Sequence, residues 1–90
     1  MPESVHRRRS TLLGANARIS FGKRLRELRR DRELSQEELG FRADLDRNYI
    51  GGIERGERNP SLVNICRIAG ALGVEVTELL DGVPAIAPDA

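Results

Sequence analysis

The chain has 90 residues, of which 39% are apolar, so it is long enough for one domain with a small hydrophobic core. Its formal net charge is only +1, but residues 1–34 hold ten basic and four acidic side chains, whereas residues 35–90 hold five and ten. No apolar run is long enough to cross a membrane, and the first residues lack the apolar core of a signal peptide. A single cysteine excludes an internal disulfide, so we expect a cytoplasmic protein.

Residues 1–18 are expected to form a flexible basic arm, with Arg7, Arg8 and Arg9 clustered beside His6. Such arms can follow the DNA backbone or enter a minor groove. The alternative is a disordered, solvated terminus without a binding role, which the sequence favours slightly. His6 is expected to be solvent-exposed, because no second type of metal ligand clusters near it.

A first helix is predicted from about Ser20, or slightly earlier, to Arg32. Its buried stripe repeats at the i, i+4, i+7 spacing and comprises Phe21, Leu25 and Leu28. The rest of this helix is mostly charged. Leu34 is expected to pack on the core where the chain turns into the second helix.

Two short helices joined by a tight turn are predicted next. Ser35 is a good N-cap for the second helix, and the acidic residues of its first turn suit the positive end of the helix dipole. Leu39 and Ala43 lie four residues apart and therefore share one face. Asp46 can cap the third helix, and Gly56 ends it.

The third helix is predicted to have two different faces. At about 100° per residue, Ile50 and Ile53 fall on one side and hold the helix down. The opposite side consists of Asn48, Gly51, Gly52 and Arg55, with Arg47 at its edge. Arg and Asn suit guanine and adenine edges, so this pattern predicts a helix that reads nucleic acid. The alternatives are an ordinary solvated face, or glycines fitted to neighbouring side chains.

A fourth helix is predicted to follow its N-cap Ser61 and to end at Gly73. Its expected core stripe comprises Leu62, Ile65, Cys66, Ala69 and Leu72. Cys66 is therefore predicted to be a buried small hydrophobe rather than a redox group. A short fifth helix is predicted over Val76–Leu80, and the tail from Val83 to Ala90 is expected to be loose.

Catalysis finds no support in the sequence, and the protein is not expected to be an enzyme. The chain has one histidine and one cysteine, no phosphate loop of the GxxxxGK type, and no Cys/His spacing typical of a metal site. We therefore expect no metal and no cofactor. Because a single domain is expected, no small-molecule effector is expected either.

The segment SQEELGFRADLDRNYIGGIERGERNPSL, which starts at Ser35, resembles the helix-turn-helix of the Cro/C1-type (XRE) DNA-binding family. The segment IAGALGVEVTELLDG resembles the last two helices of that family, so the resemblance extends from about Phe21 to Gly82. Small regulators of restriction–modification genes are similar over YIGGIERGERNPSL, as are many other short regulators. The resemblance implies an all-α, five-helix, lambda-repressor-like DNA-binding domain over residues 19–82.

The resemblance also implies a sequence-specific transcriptional regulator of double-stranded DNA, expected to be a repressor or an autoregulator. Helix 2 would cross the DNA backbone and helix 3 would enter the major groove, with Arg47 and Asn48 at the main base-reading positions. The expected phosphate contacts are Gln36, Tyr49, Arg55 and Arg58, and the expected points of close approach to the groove are Gly51 and Gly52. Gly52 departs from the family pattern, in which a longer side chain often reads a base. Because Gly52 has no side chain to read a base, sequence recognition would depend more on Arg47, Asn48 and DNA shape.

Two further contacts follow from the resemblance. Arg29 is expected to pair with Glu54 and tie helix 1 to helix 3; the alternative is two surface charges that contribute little. Glu33 stands where relatives usually have Gly or Asn, because that residue often takes a positive φ. Glu33 in this conformation would cost about 1 kcal/mol, or else the turn differs.

The expected partner is a palindromic operator bound by a symmetric homodimer, since one recognition helix covers only a few base pairs. Family members usually pair through the last helix and the loop before it, a surface that here comprises Val76, Leu79, Leu80 and Val83. Glu78 stands where many relatives have an aromatic residue, which weakens this expectation. The alternative functions are an antitoxin-like protein-interaction module of the same fold and an enzyme-associated or RNA-binding fragment.

Overall fold

A computed structural model describes residues 2–88, with side chains from residue 14 onward. These residues form five helices and no strand, so the predicted all-α fold is confirmed. The helices are α1 (Pro2–Asp31), α2 (Gln36–Ala43), α3 (Arg47–Glu54), α4 (Leu62–Leu72) and α5 (Val76–Leu79). Of the helices in the described residues, none combines the length and apolar character needed to cross a membrane.

The hydrophobic core is shared by all five helices. α3 packs against α1 and α2, α4 packs against α2 and α5, and α5 returns to α1. The largest fully buried side chains are Leu25, Leu39, Ile50, Ile53, Ile68 and Leu79. Burial of each such side chain stabilises the fold by about 1.5–3 kcal/mol. Every helix contributes at least one of them, so the placement of α3 depends on the whole domain.

The first helix begins much earlier than the predicted start near Ser20. Two contacts with Gly56 hold the turn of α1 that lies just before Ser20. The Arg18 Nε donates to the Gly56 carbonyl oxygen at 3.2 Å, and a Cβ added at Gly56 would lie 2.8 Å from the Ile19 Cγ1. The sequence does not show these two contacts, because the residues lie 37 and 38 positions apart.

Helical backbone also includes most of the segment expected to be a basic arm, from residue 2 to residue 18. Pro2 is compatible with this start, because a proline in the first helical turn removes an N–H that has no intrahelical partner. The side chains of Arg7, Arg8 and Arg9 lie outside the described part of the structure. Their role as an arm stays a prediction.

Arg18 is one of three arginines, two in α1 and one just after it, that donate to carbonyl oxygens near the C-terminal ends of other helices. The Arg24 Nε donates to the Glu78 carbonyl oxygen near the end of α5, at 2.9 Å. The Arg32 Nε donates to the carbonyl oxygen of Leu72, the last residue of α4. Each cation donates to a carbonyl oxygen near the negative end of a helix dipole, although the Glu78 carbonyl oxygen also accepts the Asp81 N–H. Part of the N-terminal basic excess therefore stabilises helix ends.

The buried face of α4 differs from the predicted one. Leu62 is 70% exposed, and Cys66 is exposed rather than buried, so both predictions were wrong. The core positions are Ile68, Ala69 and Leu72, with Ile65 packed at the edge of the core. The first turn of α4 lies beyond the core, so the i, i+3, i+4, i+7 stripe begins at Ile65 instead of Leu62.

Other local predictions are confirmed by the backbone. The Ser61 hydroxyl accepts from the Asn64 N–H at 3.2 Å, and Gly73 ends α4 with a φ of +70°. Glu33 takes the expected positive φ, at 55°. At the C-terminal side, Val83 packs against the core, and the looseness of the tail after it stays a prediction.

Candidate nucleic-acid interface

A capping box fixes the start of α2, as expected from Ser35. The Glu38 N–H donates to the Ser35 hydroxyl at 3.0 Å, and the Ser35 N–H donates to the Glu38 carboxylate at 3.1 Å. These bonds from Ser35 lower the pKa of Glu38, chiefly through the backbone N–H. The remaining N–H groups at this end of α2 are the kind of donor that binds anions such as phosphate.

The turn between α2 and α3 requires a very close backbone approach. A Cβ added at Gly40 would lie 2.5 Å from the Leu45 carbonyl oxygen, so a side chain does not fit there. Asp44 takes the left-handed conformation with a φ of 58°, which Asp tolerates better than most residues. Asp46 then caps α3, as predicted, because its Oδ1 accepts from the Asn48 N–H at 2.7 Å. This turn sets the angle between the two helices.

α3 presents one apolar and one polar face, as predicted. Ile50 and Ile53 are fully buried against the core. Arg47 and Asn48, in the first turn of the helix, are exposed, and so is Arg55 just after its end. The fold therefore leaves the two candidate base-reading side chains free to enter a groove.

The residues predicted to contact phosphate are placed around this exposed face. Gln36, at the start of α2, and Tyr49 are half-buried, whereas Arg58 is exposed. The Tyr49 hydroxyl accepts from the Asn64 Nδ2 at 3.2 Å, which holds the ring against α4. The contact with Asn64 was not predicted, because only the folded chain brings α4 to this side of α3.

Gly51 and Gly52 are buried beneath neighbouring side chains. A Cβ added at Gly51 would lie 3.0 Å from the Arg55 Nη1 and 3.3 Å from the Gln36 Oε1. A Cβ added at Gly52 would lie 2.8 Å from the Arg58 Cγ. The glycines therefore let three candidate DNA-contacting side chains lie flat on α3, which matches the alternative that they are fitted to neighbouring side chains.

Two acidic residues face the candidate DNA-binding arginines. The Arg47 Nη1 lies 3.4 Å from a Glu37 carboxylate oxygen, and the Arg55 Nη2 lies 3.0 Å from Glu57. The Arg47 and Glu37 side chains are 65% and 75% exposed, so solvent weakens the pair strongly. Sequence reasoning assigned Glu37 only to the helix dipole, since spacing alone does not place it opposite Arg47.

A buried ion pair behind the interface ties three helices together. Arg29 of α1 donates to both carboxylate oxygens of Glu54, through Nε at 2.7 Å and Nη2 at 2.9 Å. The predicted pair is thus confirmed, and the hydrogen bond to Glu54 raises the pKa of Arg29. The Gln36 Nε2 also donates to Glu54, at 3.2 Å, a contact that sequence reasoning missed.

The helix-turn-helix family model matches residues 25–79, which is more than half of the chain. The chain belongs to the Cro/C1-type helix-turn-helix family. Among its relatives in this family, control protein C.BamHI of Bacillus amyloliquefaciens is 51% identical over 67 residues, covering 73% of this chain and 83% of that protein. Control protein C.MunI of Mycoplasma sp is 43% identical over 67 residues, covering 73% and 90%.

Solved structures of family members agree with this assignment. The restriction-modification controller protein C.AhdI from Aeromonas hydrophila is 58% identical, with a TM-score of 0.68 over 69% of this chain and 94% of that one. The resemblance to small restriction–modification regulators is therefore confirmed. The protein is accordingly a DNA-binding transcriptional regulator.

Proposed function

We propose that this protein binds a palindromic operator as a homodimer and reads its sequence in the major groove with α3. The observation that carries the proposal is the orientation of this helix. Ile50 and Ile53 anchor one face in the core, and the first turn presents Arg47 and Asn48 outward. That turn is the part of a recognition helix that contacts base edges.

Base reading is assigned to the two exposed side chains of this turn. Arg47 has the forked donors that match O6 and N7 of guanine, and Asn48 can pair with N6 and N7 of adenine. The exposed pair between Arg47 and Glu37 is weak enough to break when a guanine replaces the carboxylate. The Asn48 backbone N–H donates to Asp46, and Asn48 itself is exposed.

Phosphate binding is assigned to the side chains around α3, namely Gln36, Tyr49, Arg55 and Arg58. Arg55 and Arg58 pack directly against the backbone of α3, because Gly51 and Gly52 have no side chains to hold them away. We propose that this arrangement is how the glycines permit close approach to the groove. Such contacts fix the register of the protein on the duplex and carry no sequence information directly.

Dimerisation is proposed through α5 and the residues around it. Leu79 is fully buried in the core of its own chain, which removes it from the expected surface. Val76, Leu80 and Val83 are half-buried and remain available at the edge of the core. Two copies paired there would present two α3 helices to half-sites about one helical turn apart.

The biological role follows from operator binding rather than catalysis. We propose a cytoplasmic repressor or autoregulator whose output depends on where its operator lies relative to a promoter. The similarity to restriction-modification control proteins suggests genes of that kind, including its own, as targets.

Selection of bound sequences from random duplex DNA tests the proposal. The expected result is a pair of inverted half-sites, centred about 10 base pairs apart, with a preferred guanine and adenine in each. Sedimentation of the protein with the selected duplex should then show two chains per site. A single unpaired site, or no enrichment over random duplex, would contradict the proposal.

A further inference from the structure

We propose that Glu54 is a positioning residue for DNA binding, which holds the side-chain amide of Gln36 in the orientation that donates to a phosphate. Arg29 in turn holds the Glu54 carboxylate in place. The proposal rests on the proposed function, in which Gln36 contacts the DNA backbone.

The three side chains meet at a single carboxylate oxygen. Glu54 is the last residue of α3, yet its side chain is only 4% exposed because it lies between α1 and α2. Its Oε1 accepts from the Arg29 Nη2 at 2.9 Å and from the Gln36 Nε2 at 3.2 Å. Its Oε2 accepts from the Arg29 Nε at 2.7 Å. The carboxylate is thus fixed from one side and fixes Gln36 on the other.

Hydrogen-bond chemistry determines which way the Gln36 amide faces. An ionised carboxylate only accepts hydrogen bonds, so it selects the nitrogen of the amide and not the oxygen. The Nε2 carries two hydrogens, and one of them donates to Glu54. The second is then free to donate to a phosphate oxygen, which is also only an acceptor. A freely rotating amide would instead turn its oxygen toward the phosphate part of the time.

Gly51 provides the space for this orientation. The Gln36 Oε1 lies 3.3 Å from the position of a Cβ added at Gly51, so the amide rests on the bare backbone of α3. A Cβ at Gly51 would require the Gln36 amide to shift by a few tenths of an ångström. The glycine and the carboxylate therefore act on the same amide.

Arg29 also prevents Glu54 from repelling the DNA. A buried carboxylate near a phosphate would be unfavourable unless a cation neutralised it. Arg29 supplies that cation, and its Nη1 additionally donates to the Leu34 carbonyl oxygen at 2.8 Å. Leu34 lies two residues before Gln36, so one guanidinium holds both the carboxylate and the segment that leads into α2.

The test is a double-mutant cycle between Gln36 and the buried pair. Arg29→Met with Glu54→Leu replaces the ion pair by apolar side chains, a change that folded proteins often tolerate. Arg24→Met is the matched control, since it removes another α1 arginine, whose contacts are the Glu78 carbonyl oxygen near α5 and the Glu27 carboxylate at 3.6 Å, away from Gln36. Binding to cognate and random duplexes is measured for each background with and without Gln36→Ala, at a temperature at which all the variants are folded.

The expected result is that the paired replacement weakens both duplexes by about threefold to tenfold per half-site, as the loss of one hydrogen bond would. Gln36→Ala should have the same effect in the parent and in the Arg24→Met control, and no further effect in the replaced background. An equal loss from Gln36→Ala in every background would overturn this proposal alone. No loss in the parent would overturn the phosphate contact itself, and the proposal with it.

An NMR measurement on the unchanged protein tests the same point if the paired replacement does not fold. In the free protein, the two Gln36 side-chain amide protons should have well-separated chemical shifts and slow exchange with solvent, and they should show contacts to Gly51. Shifts and exchange like those of a free glutamine side chain would overturn the proposal.

Discussion

Glu33 and Asp44 are the two non-glycine residues with a positive φ in the described part of the chain, at 55° and 58°. They lie just before and just after α2, and so they set its position relative to α1 and α3. The two side chains differ in how well they tolerate a positive φ. Asp has a short polar side chain that tolerates this conformation, whereas Glu adopts it at a higher cost in free energy.

Glu33→Asn should therefore stabilise the protein by about 0.5–1 kcal/mol, because Asn adopts the left-handed conformation at lower cost. The matched control is Asp44→Asn, which should change the free energy of unfolding little, since Asp44 already tolerates its backbone. Urea unfolding gives both values from the shift in midpoint at constant slope. An unchanged or lowered midpoint for Glu33→Asn would show that the turn is not strained.

Residue-level prediction from sequence succeeded where one helix decides the outcome. The exposure of Arg47 and Asn48 follows from the periodicity of α3, and Ile50 and Ile53 are buried as predicted. The position of Glu37 opposite Arg47 depends on the angle between two helices. Spacing along the chain does not encode that angle.

At the scale of the elements, capping residues predicted the boundaries of α2, α3 and α4 well. Ser35, Asp46 and Ser61 each accept a backbone N–H at the predicted helix start. The start of α1 and the buried face of α4 were not predicted. Two facts about the folded chain that spacing does not show lie behind this: Arg18 and Ile19 contact Gly56 beyond the end of α3, and the core ends before the first turn of α4.

The capping box makes the stability of α2 depend on pH. Hydrogen bonds from Ser35 lower the pKa of Glu38 in the folded state from its ordinary value of 4.5. The ionised form therefore stabilises the fold above about pH 4.5, and this contribution is lost as the pH falls through the lowered pKa.

Glu38→Gln should consequently lose less stability than the parent between about pH 6 and about pH 3, because Gln keeps the capping box without titrating. Ser35→Ala should cost about 1 kcal/mol at neutral pH and should also flatten the dependence on pH. The measurement is denaturant unfolding of the three proteins across this range. Parallel curves for the parent and Glu38→Gln would contradict the assignment.

At the scale of the whole molecule, charge is divided between two uses. Arg18 and Arg24 of α1, together with Arg32 just after it, donate to carbonyl oxygens near the ends of other helices. Arg47 and Arg55 stay exposed on the α3 side, with only solvent-screened acidic partners. The side chains of the basic cluster at residues 7–9 lie outside the described part of the structure, and their contact with phosphates stays a prediction.

Replacing Arg7, Arg8 and Arg9 together by Gln should weaken cognate and random duplexes by the same factor. The dependence of log K on log salt should become shallower by about 0.9 for each lost phosphate contact. Glutamine is chosen because its helix propensity is close to that of arginine and it carries no charge. Unchanged affinity and slope would contradict the phosphate assignment, and an altered base preference at constant slope would indicate groove reading instead.

The central claim is that the first turn of α3 reads bases, whereas the side chains around it bind the phosphates of the DNA backbone. The measurement that tests it is a set of four variants, Arg47→Ala, Asn48→Ala, Gln36→Ala and Arg55→Ala. Each is titrated on cognate, singly substituted and random duplexes at two salt concentrations. All four should fold, because none of these side chains belongs to the hydrophobic core.

Arg47→Ala and Asn48→Ala should each cost about 1–3 kcal/mol on the cognate duplex and remove base preference at one position per half-site, with little loss on random DNA. Gln36→Ala and Arg55→Ala should weaken cognate and random duplexes together, and Arg55→Ala should also reduce the salt dependence. If Arg47→Ala and Asn48→Ala bind every duplex as the parent does, α3 is not the reading element and the proposed mechanism is wrong.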